Sequence, residues 1–133
     1  MRRVIAVDFD GTCVTHAYPD LGEEIGAPPV LRKIVAAGFS LILYTMRAGE
    51  ELKAAQDWFA RNEIPLWASN ENPEQASWTK SPKVYAQLYI DDAALGAPLI
   101  YPPLSSRPYI DWPAVERMLG LSSEQEILGR LGA

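Results

Sequence analysis

Four short apolar, largely β-branched runs recur along this chain, and each closes on polar or acidic positions. Residues 3–7 lead into Asp8-Phe9-Asp10-Gly11-Thr12, and residues 39–44 into Thr45-Met46-Arg47. Residues 64–68 lead into Ser69-Asn70-Glu71-Asn72, and residues 88–90 into Asp91-Asp92. Apolar runs without alternation are the habit of strands buried on both faces, as in parallel sheets. Between them the spacing turns helical. Pro28-Pro29, then Val30, Leu31, Ile34 and Val35, predicts a helix that opens on proline and stops at Gly38. Leu52, Ala55, Trp58 and Phe59 predict a second over 50–62. A short helix is expected over 83–87, a short fifth strand over 98–101, and a helix over 112–120. Ser122-Ser123-Glu124-Gln125 has the spacing of a capping box for a last helix ending near Leu131.

Strands alternating with helices imply right-handed crossovers and a mostly parallel sheet with helices on both faces. The expected fold is a three-layer α/β/α, Rossmann-like domain spanning 1–133. In that arrangement Asp8, Asp10, Thr45, Asn70 and Asp91 fall at one edge, where open α/β sheets build ligand sites. Alternation along a strand puts Asp8 and Asp10 on the same side. Two acids that close repel unless a cation or a shared proton lies between them. Gly11 lets the chain turn away sharply and leaves room for an approach to Asp8. Residues 13–29, with Pro19, Gly22, Gly26 and the Pro28-Pro29 pair, read as a loop or small hairpin leaving the first strand.

Composition narrows the chemistry. The chain has 133 residues, 48% of them hydrophobic, enough for one core and hardly for two. A net charge of −5 counts against broad binding to nucleic acid. It leaves a phosphorylated small molecule open, because a divalent cation reverses the local sign. One cysteine, Cys13, and one histidine, His16, exclude an intrachain disulfide and a Cys/His zinc cluster. Only four apolar residues separate Arg3 from Asp8, too few for a signal-peptide core, and no run reaches membrane-spanning length. A cytoplasmic protein without membrane partners is the expectation.

Asp8-Phe9-Asp10-Gly11-Thr12 resembles the first motif of the haloacid dehalogenase superfamily, made up mostly of magnesium-dependent phosphatases. The strand ending in Tyr44-Thr45 is similar to its second motif, and Ile90-Asp91-Asp92 to a compact form of its fourth. The resemblance implies a phosphomonoester hydrolase in which Asp8 is the nucleophile and Asp10 the general acid and base. It implies that Thr45 holds a phosphoryl oxygen and that a lysine neutralises developing charge. Lys80 and Lys83 are both candidates, and Lys83 is preferred because it sits closer to the last strand. Mg2+ would be held by Asp8, the backbone carbonyl of Asp10, and Asp91, with Asp92 orienting the shell. Arg47 and Asn70 are candidate substrate contacts, and Trp78, in a polar loop near the proposed lysine, is the tryptophan placed to serve as a binding platform.

Both 13–29 and 70–81 are too short to form a cap domain, so a capless type with a flap over 13–29 is implied. The substrate expected is a small phosphorylated metabolite, a sugar phosphate or a nucleotide. The flap, or an adjacent subunit of a homo-oligomer, would close over it. The rivals are a phosphotransferase using the same intermediate and a non-catalytic phosphate-binding module on the same fold.

Overall fold

The computed structural model describes residues 2–102 and 107–121. At its centre is β1 (Val4–Val7), all four residues of which are buried. It pairs in parallel with β2 (Ser40–Leu43) on one side and β4 (Leu88–Ile90) on the other. The two-residue β3 (Ala68–Ser69) pairs in parallel with β2, giving the order β3-β2-β1-β4. Alternate side chains divide between two cores. Ile5, Val7, Leu41 and Leu43 share the larger one with three helices, α1 (Ala27–Ala36), α2 (Gly49–Arg61) and α3 (Trp112–Leu119). Val4, Ala6 and Ile42 face the smaller one, with Val84 and Ala86.

Crossover handedness explains this division. The steps from β1 to β2 to β3 run in one direction, so two right-handed crossovers put α1 and α2 on the same face. The return to β4 must cross the opposite face. It carries only a 3-10 turn, Gln75–Ser77, and then an irregular strap. The fold is therefore the expected α/β type with a parallel sheet, and among the described residues there is no cap insertion. One outer layer is an extended strap where a helix was expected over 83–87. The reason is local. Val84 and Ala86 are buried while Lys83, Tyr85 and Gln87 are exposed, a period of two. The Gln75 side chain also takes the backbone groups that a helix would use internally. Its amide nitrogen donates to the carbonyls of Ser81 (3.0 Å) and Lys83 (2.8 Å), and its oxygen accepts from the N–H of Tyr85 (2.8 Å).

Beyond β4, β5 (Leu99–Ile100) pairs antiparallel with β6 (Tyr109–Ile110), a strand that the apolar pattern did not reveal. Asp111 caps α3 through its side chain, which accepts from the N–H of Ala114, and Gly120 ends the helix in the left-handed conformation. This C-terminal part braces the loop after β1. The N–H of Ile110 donates to the carbonyl of Gly11 (3.1 Å), and the buried Trp112 indole donates to that of Thr12 (2.7 Å). The helix expected to end near Leu131 lies outside the described residues. No described helix is long and apolar enough to cross a membrane.

Candidate active site

Asp8 follows directly on β1, and its backbone N–H donates to the carbonyl of Ile90, the last residue of β4. That bond brings the ends of β1 and β4 together, and with them Asp8, Asp91 and Asp92. Each of the three offers a carboxylate oxygen, and these atoms lie within 4.8 Å of one another. Removal from water pushes the Asp8 carboxyl up from 3.8 to about 7. The charges of Asp91 and Asp92 add to the rise, and a hydrogen bond from the N–H of Phe9 opposes it. Three acids gathered this closely call for a proton or a cation among them.

Asp10 is used differently. Both of its carboxylate oxygens are taken by Arg47, with Nε at 2.9 Å and the second terminal nitrogen at 2.7 Å. β1 itself ends at Val7, Phe9 still joins Ile5 and Val7 in the larger core, and the turn begins at its carbonyl. The carbonyl of Phe9 accepts from the N–H groups of Thr12 and Cys13. Arg47 is 2% exposed. Its remaining N–H groups go to backbone carbonyls of Pro19, Asp20 and Glu51. The substrate contact expected of Arg47 is thus not what its surroundings allow, since every donor is committed within the chain. It instead ties Asp10 to the 13–29 segment, and the hydrogen bonds that Arg47 donates to Asp10 raise the pKa of the guanidinium.

Thr45 follows β2 at the same edge as Asp8. It does not cap α2, whose N-cap is Ala48; its hydroxyl accepts from the N–H of Arg47. Asn70, in the left-handed conformation, donates its own N–H to the carbonyl of Leu43 and accepts from the N–H of Thr45 (2.8 Å). Its amide oxygen therefore positions Thr45. Lys83 and Lys80 lie in different surroundings. Lys83 lines a cavity of about 310 Å3 together with Asp8, Tyr44, Tyr89 and Asp91. Lys80 lines a separate one with Asn70, Glu71 and Thr79.

Three residues of this region carry roles that sequence reasoning did not assign. The hydroxyl of Thr12, fully buried, lies 3.1 Å from Asp8 and 3.0 Å from Asp92, and accepts from the N–H of Asp92. His16 reaches back from the 13–29 segment to the other oxygen of Asp92, at 2.9 Å. Gly11 makes this approach possible: it has φ +77, and a Cβ there would meet the His16 ring and come within 2.6 Å of Asp92. Gln75, whose bonds shape the strap, fixes Lys83 by its carbonyl. A Gly immediately before Thr12 was a legible signal of close approach, but what approaches came from tertiary contact.

Fold and site together define a small α/β protein with an acidic cluster at the C-terminal edge of a parallel sheet. No protein-family model and no curated protein matches the chain. Among solved structures, a conserved protein from Bacteroides thetaiotaomicron is similar, with a TM-score of 0.73 and 35% sequence identity. The match covers 90% of this chain and 91% of that one. The chain belongs to the same family as that conserved protein.

Proposed function

We propose that the chain is a Mg2+-dependent phosphomonoester hydrolase that carries the phosphoryl group on Asp8. The observation that supports this best is the meeting of Asp8 and Asp91, two members of the acidic cluster, with Lys83 in one open cavity. An anionic phosphoryl group has a nucleophile, a cation site and a cationic side chain within one compartment there. The resemblance of the strand-end motifs to the haloacid dehalogenase superfamily points the same way.

In this reading an Asp8 oxygen attacks phosphorus, the ester P–O bond breaks, and the departing alkoxide takes a proton from Asp10. Asp10 then accepts a proton from water, which attacks the same phosphorus and breaks its bond to Asp8. One water is consumed, and an alcohol and inorganic phosphate are released. Lys83 offsets the charge that develops, and the Thr45 hydroxyl holds a phosphoryl oxygen. Both Asp10 oxygens are held by Arg47, so the acid and base role requires that pair to part when substrate binds. Mg2+ fits the oxygen-only donor set of Asp8, Asp91 and Asp92 and would neutralise the gathered anions, and the family resemblance would add the Asp10 carbonyl as a ligand. The substrate is a small phosphorylated metabolite of the cytoplasm.

The test is phosphate release from a panel of phosphomonoesters, with Mg2+ and with EDTA, for wild type and Asp8→Asn. Release that needs the metal and is lost in the variant is expected. Release that survives Asp8→Asn overturns the assignment, and transfer to an added alcohol in place of water makes the enzyme a phosphotransferase.

A further inference from the structure

The cavity at Asp8 does not stand alone. Lys83 and Tyr89 form a shared wall with a second cavity of about 320 Å3, whose other sides include Trp78 and Tyr85. Four aromatic side chains thus run outward from the acidic cluster. Tyr44 and Tyr89 stand 6.2 Å apart between ring centroids, and Tyr85 and Trp78 stand 5.4 Å apart, edge to face. Between the two pairs lies the Lys83 ammonium, 5.5 Å from the Tyr89 ring. Large aromatics at the surface are expensive to leave uncovered, yet Trp78 is 62% exposed and Tyr85 37%.

The platform is also held in place. Gln75 fixes the backbone at Ser81, Lys83 and Tyr85, and the Tyr89 hydroxyl donates to the carbonyl of Val84 at 2.6 Å. Rings on so fixed a strap lose little freedom when something stacks on them. Among the described residues Lys83 is the one charged residue lining the second cavity, and it also lines the first. Among the described residues no carboxylate or carboxamide side chain lines that second cavity to grip a polyhydroxylated sugar. Its walls suit a neutral, flat ring.

Resting on the hydrolase reading, we propose that the aromatic cavity beside Lys83 is a subsite for the nucleobase of a nucleoside monophosphate whose phosphate lies at Asp8. Stacking on an aromatic accepts every base because every base has a π-face, so the subsite selects nucleotides over other esters and discriminates weakly among bases. The net charge of −5 favours a mononucleotide over a polymer, whose phosphates the surface would repel.

Two measurements separate this proposal from the hydrolase reading. The first compares kcat/KM for the 5′- and 3′-monophosphates of adenosine with that for ribose 5-phosphate, which lacks the base. At least one nucleotide should exceed the sugar phosphate by about tenfold or more, and Trp78→Ala and Tyr85→Ala should each cut that ratio several-fold while Trp78→Phe restores it. The second measures binding of the same three compounds to Asp8→Asn with Mg2+ by calorimetry, which needs no turnover. Nucleotide binding that is tighter than that of ribose 5-phosphate, and that depends on Trp78, supports the subsite even if no ester is hydrolysed. Equal turnover and equal binding of nucleotide and sugar phosphate overturn it while leaving the hydrolase standing. A preference for an oligonucleotide over the mononucleotides overturns it as well.

Discussion

Replacing Asp8 by asparagine should stabilise the metal-free protein at alkaline pH. The carboxyl is raised from 3.8 to about 7, chiefly by burial and next by the charges of Asp91 and Asp92. The folded state therefore holds this proton more tightly than the unfolded one. Stability from this group is complete below about 3.8 and is lost as pH rises towards 7. A rise of that size corresponds to about 4 kcal/mol at most, and relaxation of the neighbouring acids reduces it to about 2–4 kcal/mol. Asparagine matches the shape and keeps an acceptor for the N–H of Phe9, but carries no charge. In EDTA at pH 8, Asp8→Asn should be more stable by about 2–4 kcal/mol, and the gap should shrink by more than half at pH 5. Urea unfolding followed by circular dichroism measures both. Adding Mg2+ should raise the wild-type midpoint at pH 8 and close the gap. A variant no more stable than wild type at pH 8, or a gap unchanged at pH 5, would refute the reasoning.

Other perturbations test the supporting contacts. Arg47→Ala leaves the Asp10 carboxylate and three backbone carbonyls without their partner, and should cost about 3–5 kcal/mol in urea unfolding. Arg47→Lys should recover only part of this, because an ammonium cannot grip both oxygens of Asp10 in a planar fork. Gln75→Ala frees the carbonyls of Ser81 and Lys83 and the N–H of Tyr85, and should destabilise by about 1–3 kcal/mol. It should also speed proteolytic cleavage within 78–87, where the strap lies. A protein as stable and as resistant as wild type would show that the strap is held by other means.

Much of the sheet was legible because its two central strands, β1 and β2, are buried on both sides and so read as unbroken apolar runs. Val4–Val7 and Leu88–Ile90 each stop where an acid begins, and the stop marks the strand end. The helices were legible from their amphipathic spacing and from their capping residues, Pro28 and Gly120 among them. The extended strap was written in the sequence too, as alternation through Lys83-Val84-Tyr85-Ala86-Gln87, but five residues carry a weak period and helix was the wrong choice. Gln75, the side chain that settles that choice, lies six to ten residues away from the groups it binds. The site was readable as a set of strand ends, which brought Asp8 and Asp91 to one place. Arg47 shows where that reading stops. A charged residue just past a strand end is by default solvated, and only the fold reveals that the 13–29 segment wraps it and turns all its donors inward.

Acid-quenched incubation with a phosphomonoester substrate and Mg2+, followed by peptide mapping by mass spectrometry, tests the central claim most directly. The account predicts a phosphoryl adduct on the peptide containing Asp8, labile to hydroxylamine and absent in Asp8→Asn. Turnover with no such adduct, or an adduct on another residue, would contradict it.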